Sequence, residues 1–389
     1  MSSLVFTATV TDSSGNVGTA SKTVTILDDA FVLGETKPIA SNTGLNVLGL
    51  TTGNLTQLNG DLLITPSGAT CNGNSVPVVN NTIDKVWVKG HVVFTGNVPF
   101  TISNSVIQGR SFSTAGSPPR TAMVYARSTS TPVTAVLHLT NCEVFPIQPD
   151  VNIVCTSGER MGLLTRCNLY RGSDHGNWWG SSLRMEGCYV HDFTFWTNDS
   201  KHANDGFWPN ASHNDGGQTN GCVDLWAFGN NFDMRADPDY GDYEELISSS
   251  SPAGGFPGGA WGSALMLSCS AGYCTNAKIK KNWFGYGRNP VMMPYQSNGA
   301  FADGGCSWEV SENRFYALPI GYGSGRSSRH LIAWGATLGP LPASVWGNVF
   351  TNDSTIPANL RGTTVPAPVL QGTAGAVTSQ YISRVTVNP

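Results

Sequence analysis

The stretches LTNCEV (Leu139–Val144), LTRCNL (Leu164–Leu169) and MEGCYV (Met185–Val190) share one pattern. An apolar residue is followed by two variable residues, a small or amide residue, one more variable residue and a second apolar one. The pattern recurs as ISNSVI at Ile102–Ile107, AFGNNF at Ala227–Phe232, IKKNWF at Ile279–Phe284, VSENRF at Val310–Phe315 and VWGNVF at Val345–Phe350. VKGHVV at Val88–Val93 reads as a weaker ninth copy. The fourth positions are Ser105, Cys142, Cys167, Cys188, Asn230, Asn282, Asn313 and Asn348, at spacings of 21 to 42 residues with one of 52. Two-residue alternation broken by a small or amide residue describes a strand, a bend and a second strand. Recurrence at roughly 20–50 residues is the signature of a solenoid, whose turns bury their apolar faces only by stacking. The variable spacing then places excess length in loops. Asn tolerates a left-handed bend and bonds local backbone, so the asparagines are expected to sit in the bends and stack as a ladder. Cys142, Cys167 and Cys188 are expected to stack inside as small apolar residues.

Composition agrees with an all-β chain. Of 389 residues only 12 % are charged and 45 are Gly, and no long apolar period of 3.6 residues appears. The net charge is −4, and the densest basic cluster, KIKKN at Lys278–Asn282, reads as solvated strand ends. Nucleic-acid binding is therefore not expected. No apolar run approaches the ~18 residues of a membrane span, so no membrane insertion is expected. The N-terminus has neither a basic region nor a signal-like apolar core. Nine cysteines without paired metal-ligand spacing argue against zinc. Cys269 and Cys274 are close enough for a local disulfide, but buried free thiols are the expected state.

The ends differ from the middle. Residues 1–30 alternate around DSSGN and predict a β-hairpin. Residues 31–84 are expected to connect and cap, residues 85–355 to form the solenoid, and residues 356–389 to run as an extended Pro/Gly/Thr-rich tail. Within that tail, YISRVTVNP is a candidate final strand.

Polar residues crowd one region. GSDHGNWWG supplies Asp174, His175, Trp178 and Trp179, YVHDF supplies His191 and Asp192, and KHANDGFWPNASHNDGGQ supplies Trp208, His213, Asp215 and Gln218. Equivalent positions on successive turns lie about 4.8 Å apart, so Asp174 and His191 are candidate stacked neighbours. Three uses suit such a group. As a catalytic set, Asp174, Asp192 and Asp215 would serve as acid and base with His213 or His191 assisting, carboxyls two turns apart meeting the roughly 6.5–9.5 Å of an inverting glycosidase. As a glycan-binding face, His175, Trp178, Trp179, His191, Trp208 and Gln218 would stack on and hydrogen-bond sugars; Trp226 is a further stacking candidate. As scaffold, the Asp-Gly pairs and His/Asp side chains would cap bends. Trp283 and Trp346, inside repeat strands, are expected to pack in the coil. The acidic run DMRADPDYGDYEE (Asp233–Glu245) would attract Ca²⁺ but lacks an EF-type order, and reads as an exposed acidic loop. No metal ligand set and no cofactor is expected.

The repeats, together with His213-Asn-Asp215-Gly216-Gly217-Gln218, Tyr189-Val190-His191-Asp192, Ala264-Leu265-Met266 and Lys281-Asn282-Trp283, resemble the pectate-lyase-like right-handed parallel β-helix proteins over residues 85–350. More narrowly they are similar to a branch in actinobacteria and their phages, in which an HxDGxQ motif follows a YIHD strand and precedes ALM and NNW strands. Gly217 departs from that branch, which carries an aliphatic residue there. The fold hosts lyases, hydrolases, epimerases and binding proteins, so it does not fix an activity. The paired-Asp, GHG and RIK motifs of polygalacturonases have no match in this chain. The hairpin resembles the last two strands of a bacterial immunoglobulin-like domain. The resemblance implies a minor tail or tail-tip protein of a virion, binding host cell-envelope glycan and docked to other virion tail proteins, with a homotrimer as a candidate assembly. A secreted bacterial polysaccharide hydrolase or lyase is the alternative, and a ligand-free tail component the third.

Overall fold

The structure, a computed structural model, describes residues 2–26, 31–109, 122–127, 136–147, 152–157, 162–172, 175–179, 183–195, 214–220, 224–241, 262–268, 276–287, 290–293, 307–318, 331–335, 343–371 and 380–382. They form a right-handed parallel β-helix behind an antiparallel hairpin. Each turn gives one strand to each of three sheets of nine, ten and thirteen strands. In one turn, Leu183–Glu186 joins the first sheet, Tyr189–His191 the second and Gln218–Asn220 the third. The next turn repeats this with Asp224–Phe228, Asn231–Met234 and Leu265–Ser268. Right-handed crossover is what twisted parallel strands favour.

The repeated hexapeptide is the corner between the first and second sheets. Its first and sixth residues point inward. The sixth positions stack as Phe232, Phe284, Phe315 and Phe350, each at most 1 % exposed, with centroids 5.4, 5.4 and 6.3 Å apart along the row. Each such ring contributes about 1.5–3 kcal/mol by burial. The left-handed residue is the third of the six, not the fourth as expected. Asn104, Asn141, Arg166, Gly187, Gly229, Lys281, Glu312 and Gly347 all have φ between 49° and 66°. This one residue reverses the outward alternation, so that the fourth can turn inward. The ninth copy also shifts. Lys85 has φ 54°, so Ile83–Val88 is the in-register copy, and VKGHVV lies at the next corner, between the second and third sheets.

In the later turns the fourth residue donates a hydrogen bond inward, whereas Val86, at the fourth position of the first copy, is apolar. Asn230 Nδ2 donates to Met185 O at 3.0 Å, Asn282 to Ala227 O at 2.9 Å, Asn313 to Ile279 O at 3.0 Å and Asn348 to Val310 O at 2.9 Å. Each acceptor is the first residue of the preceding copy. The amide oxygens accept the main-chain N–H one turn back: Cys188 to Asn230, Asn230 to Asn282 and Asn282 to Asn313 at 2.9 Å, Asn313 to Asn348 at 3.0 Å. Thiols substitute in the earlier turns, with Cys142 Sγ donating to Ile102 O at 3.4 Å and Cys167 Sγ to Leu139 O at 3.3 Å. Cys71, Cys142, Cys167 and Cys188 are buried free thiols, and burial pushes those of Cys142 and Cys188 up. Cys269 and Cys274 lie outside the described residues.

A strap from the N-terminal region crosses the turns. Arg166 sits 4.2 Å from the Phe31 ring. The chain then reaches Arg314, whose guanidinium donates to Gly34 O at 2.8 Å and Glu35 Oε2 at 2.7 Å. It returns past Asn231, which donates to Pro38 O at 2.8 Å, and Arg166, which donates to Asn42 O at 2.8 Å. Gly44, at φ 58°, then lies against Glu143 and Asn168. Within KIKKN, Lys278 is exposed as expected, whereas Lys281 is tied to the strap. Lys281 bonds Glu35 at 2.5 Å, and Lys280 bonds Glu312 at 2.9 Å.

Both ends of the core are closed. Leu62–Thr65, Gly68–Cys71 and Asn74–Val76 make an antiparallel meander on the third sheet at the first turns. After Phe350 the chain folds back. Ile356, Leu360 and Val365 are buried, and Val365 N bonds Asn348 O at 2.8 Å. Gln380–Ile382, which overlaps only the first two residues of the candidate final strand, pairs antiparallel to the third sheet, and residues 383–389 lie outside the described residues. The N-terminal hairpin pairs Ser2–Thr11 with Val17–Ile26. Asp12 closes its loop by accepting the N–H groups of Ser14 and Asn16 at 2.8 and 2.9 Å.

Candidate functional site

Of the residues singled out by the sequence, His175, His191, Asp192 and Asp215 lie at the corner between the second and third sheets. His175, Asn214–Gly217 and Gly262–Ala264 enter the third sheet in three successive turns. His175 N bonds Asp215 O at 2.9 Å, and Gly216 N bonds Ser263 O at 2.9 Å. Asp215 Oδ1 accepts Ser263 N at 2.7 Å, and Asn214 Nδ2 donates to Thr194 O at 2.6 Å. The glycines permit this packing. A Cβ on Gly216 would meet Ala264 O, and one on Gly262 would meet Asn214 O. Gly217 keeps the strand pairing, its oxygen accepting Met266 N at 2.8 Å.

Two of the candidates are therefore closed off. His175 is 0 % and Asp215 1 % exposed, so neither side chain meets a ligand at the surface as placed. His175 Nε2 donates to His191 O at 3.1 Å, and its ring packs 4.0 Å from Phe193. Its Nδ1 has no hydrogen-bond partner. Burial, then the nearby His191, pushes its pKa down to about 3, because a second ring proton would lie unsatisfied in the core.

His191 is the hinge of a polar chain. Its in-register neighbour is Tyr170, not Asp174. Its ring stacks 5.3 Å from Tyr170 and 3.9 Å from Tyr189. Nε2 lies 2.8 Å from Asn168 Oδ1 and Nδ1 2.8 Å from Asp192 Oδ2, while Asn168 Nδ2 donates to Glu143 Oε2 at 3.1 Å. Burial alone would raise the Asp192 carboxyl, but the His191 hydrogen bond and the charges of His191 and Arg235 outweigh it and hold it below its ordinary value. Asp192 is the left-handed residue of its corner, at φ 50°, and its side chain is 45 % exposed. Burial pushes the Glu143 carboxyl up; Glu143 lies against Gly44 of the strap.

The acidic run is not an exposed loop as far as it is described. Asn231–Met234 and Ala236–Gly241 are strands. Asp233 and Asp237 are each 3 % exposed; Arg235 Nε bonds Asp233 Oδ1 at 2.8 Å, and Arg171 Nε bonds Asp237 Oδ2 at 2.9 Å. Both carboxylates are thus paired with arginines. No group of three or more metal-ligating side chains occurs among the described residues. No helix among them is long and apolar enough to cross a membrane.

Gln218 is half-buried and pairs with Asn177 and Met266. Trp178 and Trp179 belong to the strand Gly176–Trp179, in register with Thr219 and Asn220. Asp174, Trp208 and His213 lie outside the described residues. Trp283 is buried as expected, whereas Trp346 is 47 % exposed. It points outward because it precedes the left-handed Gly347.

The first sheet presents an outward surface of which the sequence singled out Trp226 alone as a stacking candidate. Arg184, Trp226, Lys278 and Glu309 are in register across four strands, and Glu186, Phe228, Lys280, Ser311 and Trp346 form the adjoining row. Their legibility lay in the alternation of the repeat strands, not in any motif.

The chain matches no family model, no curated protein and no solved structure.

Proposed function

We propose that this β-helix is a virion tail protein that binds glycan of the host cell envelope, docked to other tail proteins and assembled as a homotrimer. The observation that carries binding over catalysis is the state of the carboxyls. A glycosidase needs one carboxyl with a raised pKa to protonate the leaving oxygen. Asp192, the half-exposed candidate, is held low by His191. Asp215 is spent on Ser263 N inside the corner. The carboxyl pushed up among the described residues is Glu143, beneath the strap. An ionised Asp192 accepts hydrogen bonds from hydroxyls without needing to give up a proton. The tail assignment is supported by the motif resemblance over residues 85–350.

The test is to incubate the intact chain and its Asp192→Asn variant with actinobacterial cells and their envelope polysaccharide. Retention on cells, with no reducing or unsaturated sugar released by either protein, is the expected result. Sugar release that disappears in the variant would replace binding by hydrolysis or lysis. Absence of any retention would leave the chain a ligand-free tail component.

A further inference from the structure

We infer that the outward rows of the first sheet, centred on Trp226, form a binding platform for an uncharged saccharide chain. This rests on the glycan-binding reading above and moves the contact surface away from the corner at Asp215.

The platform is built and rigid. Trp226 is half-buried, and its Nε1 donates to Glu186 Oε1 at 2.9 Å. The same carboxylate oxygen accepts Arg184 at 2.7 Å. Phe228 stacks on Trp226 at 5.5 Å and 13°. Arg184 lies 5.6 Å from the Trp226 ring on one neighbouring strand, and Lys278 5.7 Å on the other. Farther along, Lys280 is 5.2 Å from the exposed Trp346 ring. From Arg184 to Ser344, which is in register with Glu309 on the next strand, the row runs four strand steps, roughly 19 Å, so it suits an extended chain and not a single small molecule.

Charge decides the ligand class. Most of the charges are paired within the surface: Arg184 with Glu186, and Lys280 with Glu309 and Glu312 at 3.5 and 2.9 Å. Asn276 donates to Asp224 at 2.9 Å between the first residues of two adjacent strands. An anionic polymer would face carboxylates interleaved with each cation. A sugar hydroxyl both donates and accepts, so mixed fixed donors and acceptors beside aromatic rings match an uncharged polyol. Trp226 stands on the outward face and is only half-buried, so its removal takes away the Phe228 stacking and the Glu186 bond but leaves the inward core intact.

The experiment uses the intact chain and Trp226→Ala. Their binding to amylose, galactan and mannan is compared with binding to polygalacturonate, at low and high salt, beside retention on actinobacterial cells. Expected is binding to an uncharged polysaccharide that is insensitive to salt, weakened about tenfold or more in the variant, with a single cooperative melting transition retained. Equal binding by both proteins would overturn the platform and leave the glycan reading standing. Binding confined to polygalacturonate and lost with salt would overturn the uncharged class. Cell retention abolished by protease treatment of the cells, with no polysaccharide bound, would mean a protein ligand and overturn the proposal. No binding to cells or polysaccharides would overturn both readings together.

Discussion

His175 Nε2 lies 3.1 Å from the main-chain oxygen of His191, sixteen residues and one turn away. The bond uses the one proton of a neutral ring and leaves Nδ1 in the core without a partner. Its folded pKa is pushed down to about 3, against ~6.5 when unfolded. Between those values the unfolded chain binds the extra proton. This contribution is therefore complete above about pH 6.5 and is lost as pH falls toward 3, amounting to as much as roughly 4 kcal/mol. Asp192, also depressed, adds acid sensitivity only in the lower carboxylate range. Melting temperature followed from pH 7 to 4 is expected to fall for the wild type and to flatten for His175→Gln, which keeps a donor but does not titrate. Parallel curves would sink the assignment.

Asn282 links three turns, accepting from Asn230 N and donating to Ala227 O while its own N–H reaches Asn313 Oδ1. Asn282→Ala strands a buried N–H and a buried carbonyl, at roughly 1–3 kcal/mol each. Urea unfolding is expected to show a loss of about 3 kcal/mol or more. Asn282→Ser should recover part of it, because Ser105 accepts Val86 N at 3.1 Å in an earlier turn. A serine variant no better than alanine would contradict this account of the fourth position.

How much of this could be read beforehand depends on the residue. The inward row and the Asn ladder were legible, because strand alternation and repetition act locally and recur. The third position was not, since Arg166, Lys281 and Glu312 adopt a left-handed bend that their types do not announce. Trp346 was misplaced for the same reason. Asp215 and His175 looked chemical because Asp and His serve both catalysis and corners, and only packing against Ser263 and Phe193 separates the two. The strap was illegible, since its partners lie up to 280 residues away.

Asp215 supports a stability prediction that is independent of ligand. Asp215→Ala removes the acceptor of Ser263 N and is expected to cost about 1–3 kcal/mol. Asp215→Asn retains an oxygen and should cost less, with retention on cells unchanged. A fully stable Asp215→Ala chain that no longer binds would return the residue to the ligand.

Gly44 tests the strap. Its φ of 58° strains any L side chain, and a Cβ there would push the Glu143 carboxyl aside and crowd Asn168. Gly44→Ala should accelerate hydrogen exchange across residues 36–50 while the three sheets stay protected. Unchanged exchange there would show that the strap yields without releasing.

The strap also sets an order of events during synthesis. A solenoid alone assembles neighbour by neighbour, and each new turn here could settle as it emerges. Gly34 and Glu35 leave the ribosome early, yet the guanidinium they dock on belongs to Arg314, 280 and 279 residues later. At ~5–20 residues per second, that anchor follows by roughly 14–56 s. For that interval the segment that will bind turns together has no complete seat, and it is exposed to whatever else is nearby. The last anchor made is thus the one farthest along the chain from the segment it holds.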